Sequence, residues 1–126
     1  MKFKRFLSVA AFGTGVLLVQ APVFAHEAPA RHGGVVRTVN DVQYELVQRG
    51  QDAVIHVDNH GKPVPTAGMT GKLVVLQGTE KAEASLLPSG ENLLVAKGVK
   101  LGGGAKAVAA IDTPEAKAIT VRFVVK

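Results

Sequence analysis

Four histidines, at positions 26, 32, 56 and 60, are the residues of this chain with the clearest capacity for chemistry. They fall into two groups, His26 with His32 and His56 with His60. The neutral imidazole is a ligand that zinc, copper, iron and nickel all accept in proteins. The chain has no cysteine, so neither a thiolate ligand nor a thiol nucleophile accompanies the histidines. This composition predicts transition-metal binding through nitrogen ligands.

Whether His26 is a ligand depends on a proteolytic cut directly before it. Residues 1–25 have the pattern of a secretory signal peptide, with a basic start, the apolar run FLSVAAFGTGVLLV over residues 6–19, and small residues at positions 23 and 25. The apolar run is shorter than the roughly 20 residues that span a bilayer. We therefore expect export to the periplasm, cleavage after Ala25, and a mature chain of residues 26–126 without a membrane anchor.

Cleavage gives His26 a free α-amine beside its own imidazole, and these two nitrogens can chelate one metal ion. Such a pair suits Cu(II), which prefers tetragonal nitrogen and oxygen sites and binds tightly compared with the other divalent metals of its row. We expect residues 26–33, which are polar and contain proline and glycine, to form a flexible N-terminal tail. That tail allows His32 to fold back as a further ligand.

A second candidate site lies in the segment IHVDNHGKPV. Alternate residues of an extended strand share a face, so His56, Asp58 and His60 are expected to point the same way. Their spacing of about 6.6 Å per step requires a turn before they can converge on one ion. Met69, the only methionine after residue 25, adds a soft ligand that favours Cu(I). A structural role suits two of these residues as well, since aspartate is common in turns and methionine fills gaps in cores.

Charge and aromatic content argue against nucleic acid, membrane and sugar ligands. The full chain has 15 basic and 10 acidic residues and a formal net charge of +5; cleavage removes three basic residues, which leaves 12 basic and 10 acidic residues and a charge of +2. That small excess gives no basis for binding nucleic acid or an anionic membrane. After cleavage, only Tyr44 and Phe123 remain to stack on bases or sugars.

The sequence has no catalytic motif, and we expect the protein not to be an enzyme. Beyond residue 25, the serines are Ser85, in a strand pattern, and Ser89, in a turn, and neither lies in a nucleophile elbow. The triple glycine of LGGGAK is not followed by the Lys-Ser or Lys-Thr pair of a phosphate-binding loop. The carboxylates are scattered, and we assign them to solvent-exposed faces.

The chain after the tail predicts strands. Short runs in which apolar and polar residues alternate, such as VQYELVQ (42–48) and AVIHVD (53–58), are separated by glycine, proline, asparagine and aspartate. We predict about seven or eight short antiparallel strands in one domain over residues 34–126, folded as an immunoglobulin-like β-sandwich or a small β-barrel. AKAVAAID (105–112) is assigned to a strand although its alanines favour helix.

The same segments resemble a known group of proteins. HGGVV, YELV, VIHVDNHGKPV, GKLVVL and ENLLVAKG are similar to segments of small periplasmic proteins that accompany heavy-metal and copper efflux systems in Gram-negative bacteria. Related HGG segments occur in the periplasmic adaptor subunits of such pumps. The resemblance covers about residues 31–125, implies a periplasmic binding or accessory role without catalysis, and makes His32 the HGG histidine. A more distant likeness to copper-resistance β-sandwich proteins, which also begin with a histidine, extends only to His26.

The sequence therefore predicts a periplasmic protein that binds a transition metal, with copper first, and buffers the ion or passes it to a periplasmic efflux-pump subunit. The expected metal ligands are His26, His32, His56, Asp58, His60 and Met69. The alternative is a metal-free β-sandwich module that docks on an envelope protein through an exposed strand edge. KLVVL (72–76) or AKAVAAID is the edge expected in that case.

Overall fold

The protein is all-β. The computed structural model describes residues 28–115 and 117–126, so the predicted signal peptide and His26 lie outside the described residues. The described chain consists of antiparallel strands, turns and connecting segments, without a helix. In that part of the chain, there is accordingly no helix of the length and apolarity needed to cross a bilayer. The predicted fold class is confirmed.

Nine strands follow one another along the described residues. The first five are β1 (Val35–Val39), β2 (Val42–Arg49), β3 (Asp52–Asn59), β4 (Lys62–Pro63) and β5 (Thr70–Gln77). The other four are β6 (Glu80–Ser89), β7 (Leu93–Ala96), β8 (Lys106–Asp112) and β9 (Ala118–Val124). The number exceeds the prediction because of β4, a two-residue strand in a segment whose glycine and prolines favour a turn.

Tight turns connect the first strands, because the chain offers residues that adopt positive φ where a two-residue hairpin needs them. Asn40 and Asp41, between β1 and β2, have φ of 50° and 65°, and His60 and Gly61, between β3 and β4, have φ of 48° and 85°. Both pairs fit a type I′ turn, which needs positive φ at both central residues. Gly50, with φ of 59°, occupies the glycine position of a type II′ turn between β2 and β3.

The strands form one sheet that is nearly closed into a barrel. They pair in the order β1-β2-β3-β7-β6-β5-β8-β9, with β4 beside β3. β6 joins the two halves, since residues 80–86 pair with β5 and residues 87–89 pair with β7. The end strands β1 and β9 lie side by side, and Arg37 Nε donates a hydrogen bond to the Arg122 backbone oxygen across this seam at 3.0 Å.

The predicted docking edge is wrong. KLVVL lies in β5, which pairs with β6 on one side and β8 on the other. AKAVAAID lies in β8, which pairs with β5 and β9. Each of these two strands is hydrogen-bonded to a neighbouring strand on both sides, so neither strand is an edge. Within the described chain, β1 and β9 are the two ends of the pairing order, and they lie side by side at the seam.

Alternate residues of the strands fill the interior of the barrel. Tyr44 of β2, Ile55 of β3 and Phe123 of β9 have 1%, 0% and 1% of their surface exposed. Successive side chains of a strand point to opposite faces of a sheet. Glu45 and His56, which follow the first two of these residues along the chain, therefore lie on the outer face.

Gly71 in β5 provides a test of this strand packing. A Cβ at this position would overlap the Ala110 backbone oxygen of β8 and lie 3.2 Å from Ile111 Cα. We expect Gly71→Ala to lower the free energy of unfolding by about 1–3 kcal/mol, as overpacking does in a well-packed interior. Gly103→Ala is the control, because the nearest atom to its Cβ is Lys126 O at 3.7 Å. Urea denaturation measures both, and equal stability of the two variants would contradict the β5–β8 packing.

Candidate functional site

The tight turn between β2 and β3 sets two polar side chains opposite each other. The register of this hairpin pairs Glu45 directly with His56. Both lie on the outer face of the sheet, because the adjacent Tyr44 and Ile55 belong to the core. Glu45 is nevertheless only 4% exposed and His56 only 5% exposed. This part of the outer face is therefore covered.

The cover is the segment that leads into β1, here called the strap (residues 31–34). Gly33 in the strap has φ of 75°, a conformation that residues with a Cβ rarely adopt. Gly34 lies so close to β2 that a Cβ would overlap the backbone oxygen of Leu46. The two glycines of HGG therefore allow the chain to turn and to lie against β2, which brings His32 over the sheet.

The Glu45 carboxylate fastens the strap. Its Oε1 accepts a hydrogen bond from Arg31 N at 2.9 Å, and its Oε2 accepts hydrogen bonds from His32 N at 2.8 Å and Gly34 N at 3.0 Å. Hydrogen bonds to an ionised group are roughly twice as strong as those between neutral groups. Burial by itself raises the pKa of Glu45, but the three backbone donors and the charge of His32 outweigh it and hold that pKa below its ordinary value of 4.5.

The strap places the ring of His32 on the ring of His56. The ring centroids are 3.7 Å apart and the ring planes differ by 9°, so the two imidazoles are stacked face to face. His32 is exposed, whereas His56 Nε2 exposes less than 1 Å² and has no hydrogen-bond partner. A buried polar atom without a partner costs about 1–3 kcal/mol, and one reason for its retention is that it binds an ion or water.

The surroundings of His56 favour its neutral form. Burial is the largest cause that lowers the pKa of His56 below its ordinary value of 6.5, and positive charge at His32 and Arg49 acts in the same direction. The carboxylates of Glu45 and Asp58 oppose this shift without cancelling it. The neutral imidazole is the form that binds metal ions, so His56 is prepared to act as a ligand at neutral pH.

A cavity of about 150 Å³ lies beside the histidine stack. Its lining residues are Ala28, Pro29, Arg31, Val36, Gln43, Glu45, Asp58, His60 and Gly61. β3 ends at Asn59, so the alternation that predicts a common face for His56, Asp58 and His60 stops one residue before His60, which lies in the turn. Asp58 and His60 meet at the cavity, while His32 and His56 form the stack next to it.

The remaining predicted ligands do not join the stack. Met69 is 7% exposed and packs in the hydrophobic core, on the opposite side of the sheet from the outer-face histidines. His26 lies outside the described residues. Across residues 28–115 and 117–126, no group of three or more histidine, aspartate or glutamate side chains is arranged to hold a metal ion.

Glu45 is the residue of this site that the sequence patterns did not single out. Its assignment to a solvent-exposed face is wrong, because the strap covers the outward side of β2 at this position. The sequence did contain a signal for the pairing of Glu45 with His56. A two-residue turn at positions 50 and 51 fixes the hairpin register that sets these residues opposite each other. The same carboxylate accepts hydrogen bonds from Arg31 N and His32 N, in the segment that composition assigns to a flexible tail.

Comparisons with known protein families, with curated proteins and with solved structures find no match to this chain. The likeness of the HGG and neighbouring segments to metal-efflux proteins stays a prediction.

The pKa of His56 is the first property of the site to measure. We expect His56 to titrate below pH 6.5 in the metal-free protein, because burial disfavours its charged form. The unfolded chain then takes up the proton first, so the free energy of unfolding falls as the pH decreases from about 6.5 towards the lower folded pKa. NMR titration of the ring protons measures the pKa, and urea denaturation measures the loss, which is expected to be smaller in His56→Gln. A pKa at or above 6.5 would contradict the burial of this ring.

Proposed function

We propose that this chain is an exported periplasmic protein whose imidazole pair, His32 and His56, binds a transition-metal ion, with copper as the first candidate. One observation carries the proposal. Two imidazoles from distant segments are in contact, and the inner one has a buried nitrogen without a partner. Imidazole nitrogen is a ligand for copper, zinc and nickel, and Nε2 of the tautomer protonated at Nδ1 has a lone pair that no hydrogen bond occupies.

The stack has to rearrange when one ion binds both rings. Each imidazole lone pair lies in the plane of its own ring, so two nearly parallel rings with centroids 3.7 Å apart direct their lone pairs within two separate planes that do not meet at one ion. Convergence on one ion requires His32 to rotate about its side-chain bonds or the strap to shift. His32 is exposed and has room to move, whereas His56 is held within β3.

His26 is close enough along the chain to supplement the pair. Ala28 lines the cavity beside the stack, and two peptide units limit the Cα of His26 to about 7 Å from the Cα of Ala28. After cleavage, the amine and imidazole of His26 form a chelate suited to Cu(II). Asp58 and His60 line the same cavity, but neither belongs to the stacked pair.

A pair of imidazoles suits transient binding of a metal ion. Structural zinc sites close around the metal with four protein ligands, whereas a site built on two imidazoles leaves positions open for exchange. We therefore propose that the protein buffers the ion in the periplasm or passes it to an efflux-pump subunit, in line with the periplasmic binding or accessory role that the resemblance implies.

Copper titration of single-histidine variants tests the proposed ligands. We expect His32→Gln and His56→Gln each to weaken Cu(II) binding by at least about tenfold, or about 1.4 kcal/mol, in the chain that begins at His26. Calorimetry measures the affinity, and electron paramagnetic resonance reports the nitrogen ligands. An extra glycine before His26 removes the amine–imidazole chelate while every side chain stays, and this tests the N-terminal contribution separately.

His60→Asn is the matched control for these variants. His60 is exposed and has φ of 48°, a conformation that asparagine also tolerates. Its copper affinity is expected to stay within about twofold of the unmodified chain. Unchanged affinity in both His32→Gln and His56→Gln would overturn the histidine pair, and a loss confined to the glycine-extended chain would move the site to His26.

Met69 is tested by a substitution that preserves its volume. We expect Met69→Leu to change the free energy of unfolding by less than about 1.5 kcal/mol and to leave metal affinity unchanged, because Met69 packs in the core. Urea denaturation and titrations with Cu(II) and Cu(I) measure the two quantities. A loss of Cu(I) affinity without a loss of stability would make Met69 a ligand after all.

A further inference from the structure

We propose that Glu45 is the positioning residue of the histidine pair: its carboxylate holds the strap so that His32 covers His56, and the strap must release before a metal ion reaches His56 Nε2. The purpose of this arrangement rests on the proposed metal-binding function. The closed state itself belongs to the metal-free protein and can be tested there.

His56 is closed off in the described conformation. Its Nε2 exposes less than 1 Å², and the stacked ring of His32 lies over its ring face. Within the sheet, β3 is flanked by β2 and β7, so the neighbouring strands close the sides along the backbone. His56 points outward from this sheet, so displacement of the strap exposes it to solvent.

One carboxylate provides most of the polar attachment of the strap. Three of the four strap residues donate their backbone N–H groups to Glu45, at 2.8 to 3.0 Å. Among the hydrogen bonds of the described residues, the strap also makes one from Arg31 Nη1 to the Gly61 backbone oxygen, which is exposed and longer, at 3.4 Å. Loss of the Glu45 acceptor therefore removes the shortest contacts between the strap and the sheet.

The fit of Gly34 against β2 supports the same conclusion independently. A Cβ at this position would overlap the Leu46 backbone oxygen and lie 2.7 Å from Val47 Cγ2. The backbone oxygen cannot move without disturbing the β2 ladder, so any larger residue pushes the strap away from the sheet. A substitution at Gly34 is thus expected to open the strap while the Glu45 side chain itself stays unchanged.

The closed strap makes a prediction that separates it from simple assembly of ligands. A site that is open only part of the time has an apparent affinity reduced in proportion to its open fraction, so weakening the attachment raises both the apparent affinity and the rate of metal uptake. If Glu45 served only to assemble His32 and His56 as ligands, weakening the attachment would instead reduce the affinity. The two roles therefore change metal binding in opposite directions.

Access to His56 is measured first without metal, by the reaction of diethyl pyrocarbonate with the imidazoles of the exported, processed chain. Mass spectrometry follows each histidine separately. We expect His56 to react at least about tenfold more slowly than the exposed His60. Glu45→Gln, which replaces an acceptor oxygen by an NH₂ group, and Gly34→Ala are both expected to raise the His56 rate towards that of His60. Glu83→Gln, at an exposed position in β6, is the matched control and is expected to leave it unchanged.

Stopped-flow measurement of Cu(II) association with the same variants gives the second readout. Faster association in Glu45→Gln and Gly34→Ala, but not in Glu83→Gln, supports control of access by the strap. If His56 of the unmodified protein reacts as fast as His60, or if neither variant changes its rate, the proposal fails. If both variants expose His56 but copper binds more slowly or more weakly, control of access is overturned in favour of ligand assembly alone. If access changes as expected and no form binds copper, the closed strap stands and the metal-binding function fails.

Discussion

A carboxylate on a covered sheet surface has to find hydrogen-bond donors, and Glu45 finds three of them in one short stretch of backbone. An ionised carboxylate that is buried without partners is strongly unfavourable, and backbone N–H groups that leave water without an acceptor are unfavourable as well. The strap and Glu45 therefore each satisfy a requirement of the other. Their contact sets the path of the chain into β1, and that path determines where the His32 imidazole lies.

The same contact decides the chemistry of His56. The strap buries the ring, which lowers the pKa of His56 and keeps the imidazole in the neutral form that binds metals. The burial that makes the nitrogen a ready ligand also separates it from solvent, where any ion must come from. The closed strap thus keeps His56 in its neutral form but shields it from ions in solution, and the strength of the strap's attachment determines how far each effect prevails.

The strands were predictable because their signals are local. Alternating apolar residues and turn residues specify where strands such as β2 and β3 begin and end. The order of the strands is not local: β3 pairs with β7, and β5 pairs with β8, so no short segment shows that KLVVL lies in the interior of the sheet. The pairing of Glu45 with His56 was also predictable from a local signal, because the turn between β2 and β3 fixes their register. The docking of the strap could not be predicted, because a segment without periodicity gives no sign of the surface on which it lies.

Two glycines explain why the strap can bring an imidazole to this place. Gly33 adopts a positive φ, and Gly34 lies where a Cβ would meet the backbone of β2. Even if His32 itself remained, a residue with a Cβ would be strained at position 33 and would overlap β2 at position 34. The HGG segment therefore specifies a backbone path at least as much as a ligand. The histidine has a function in this path because the sheet beneath it presents a second imidazole and, on the adjacent strand, the carboxylate that holds the path in place.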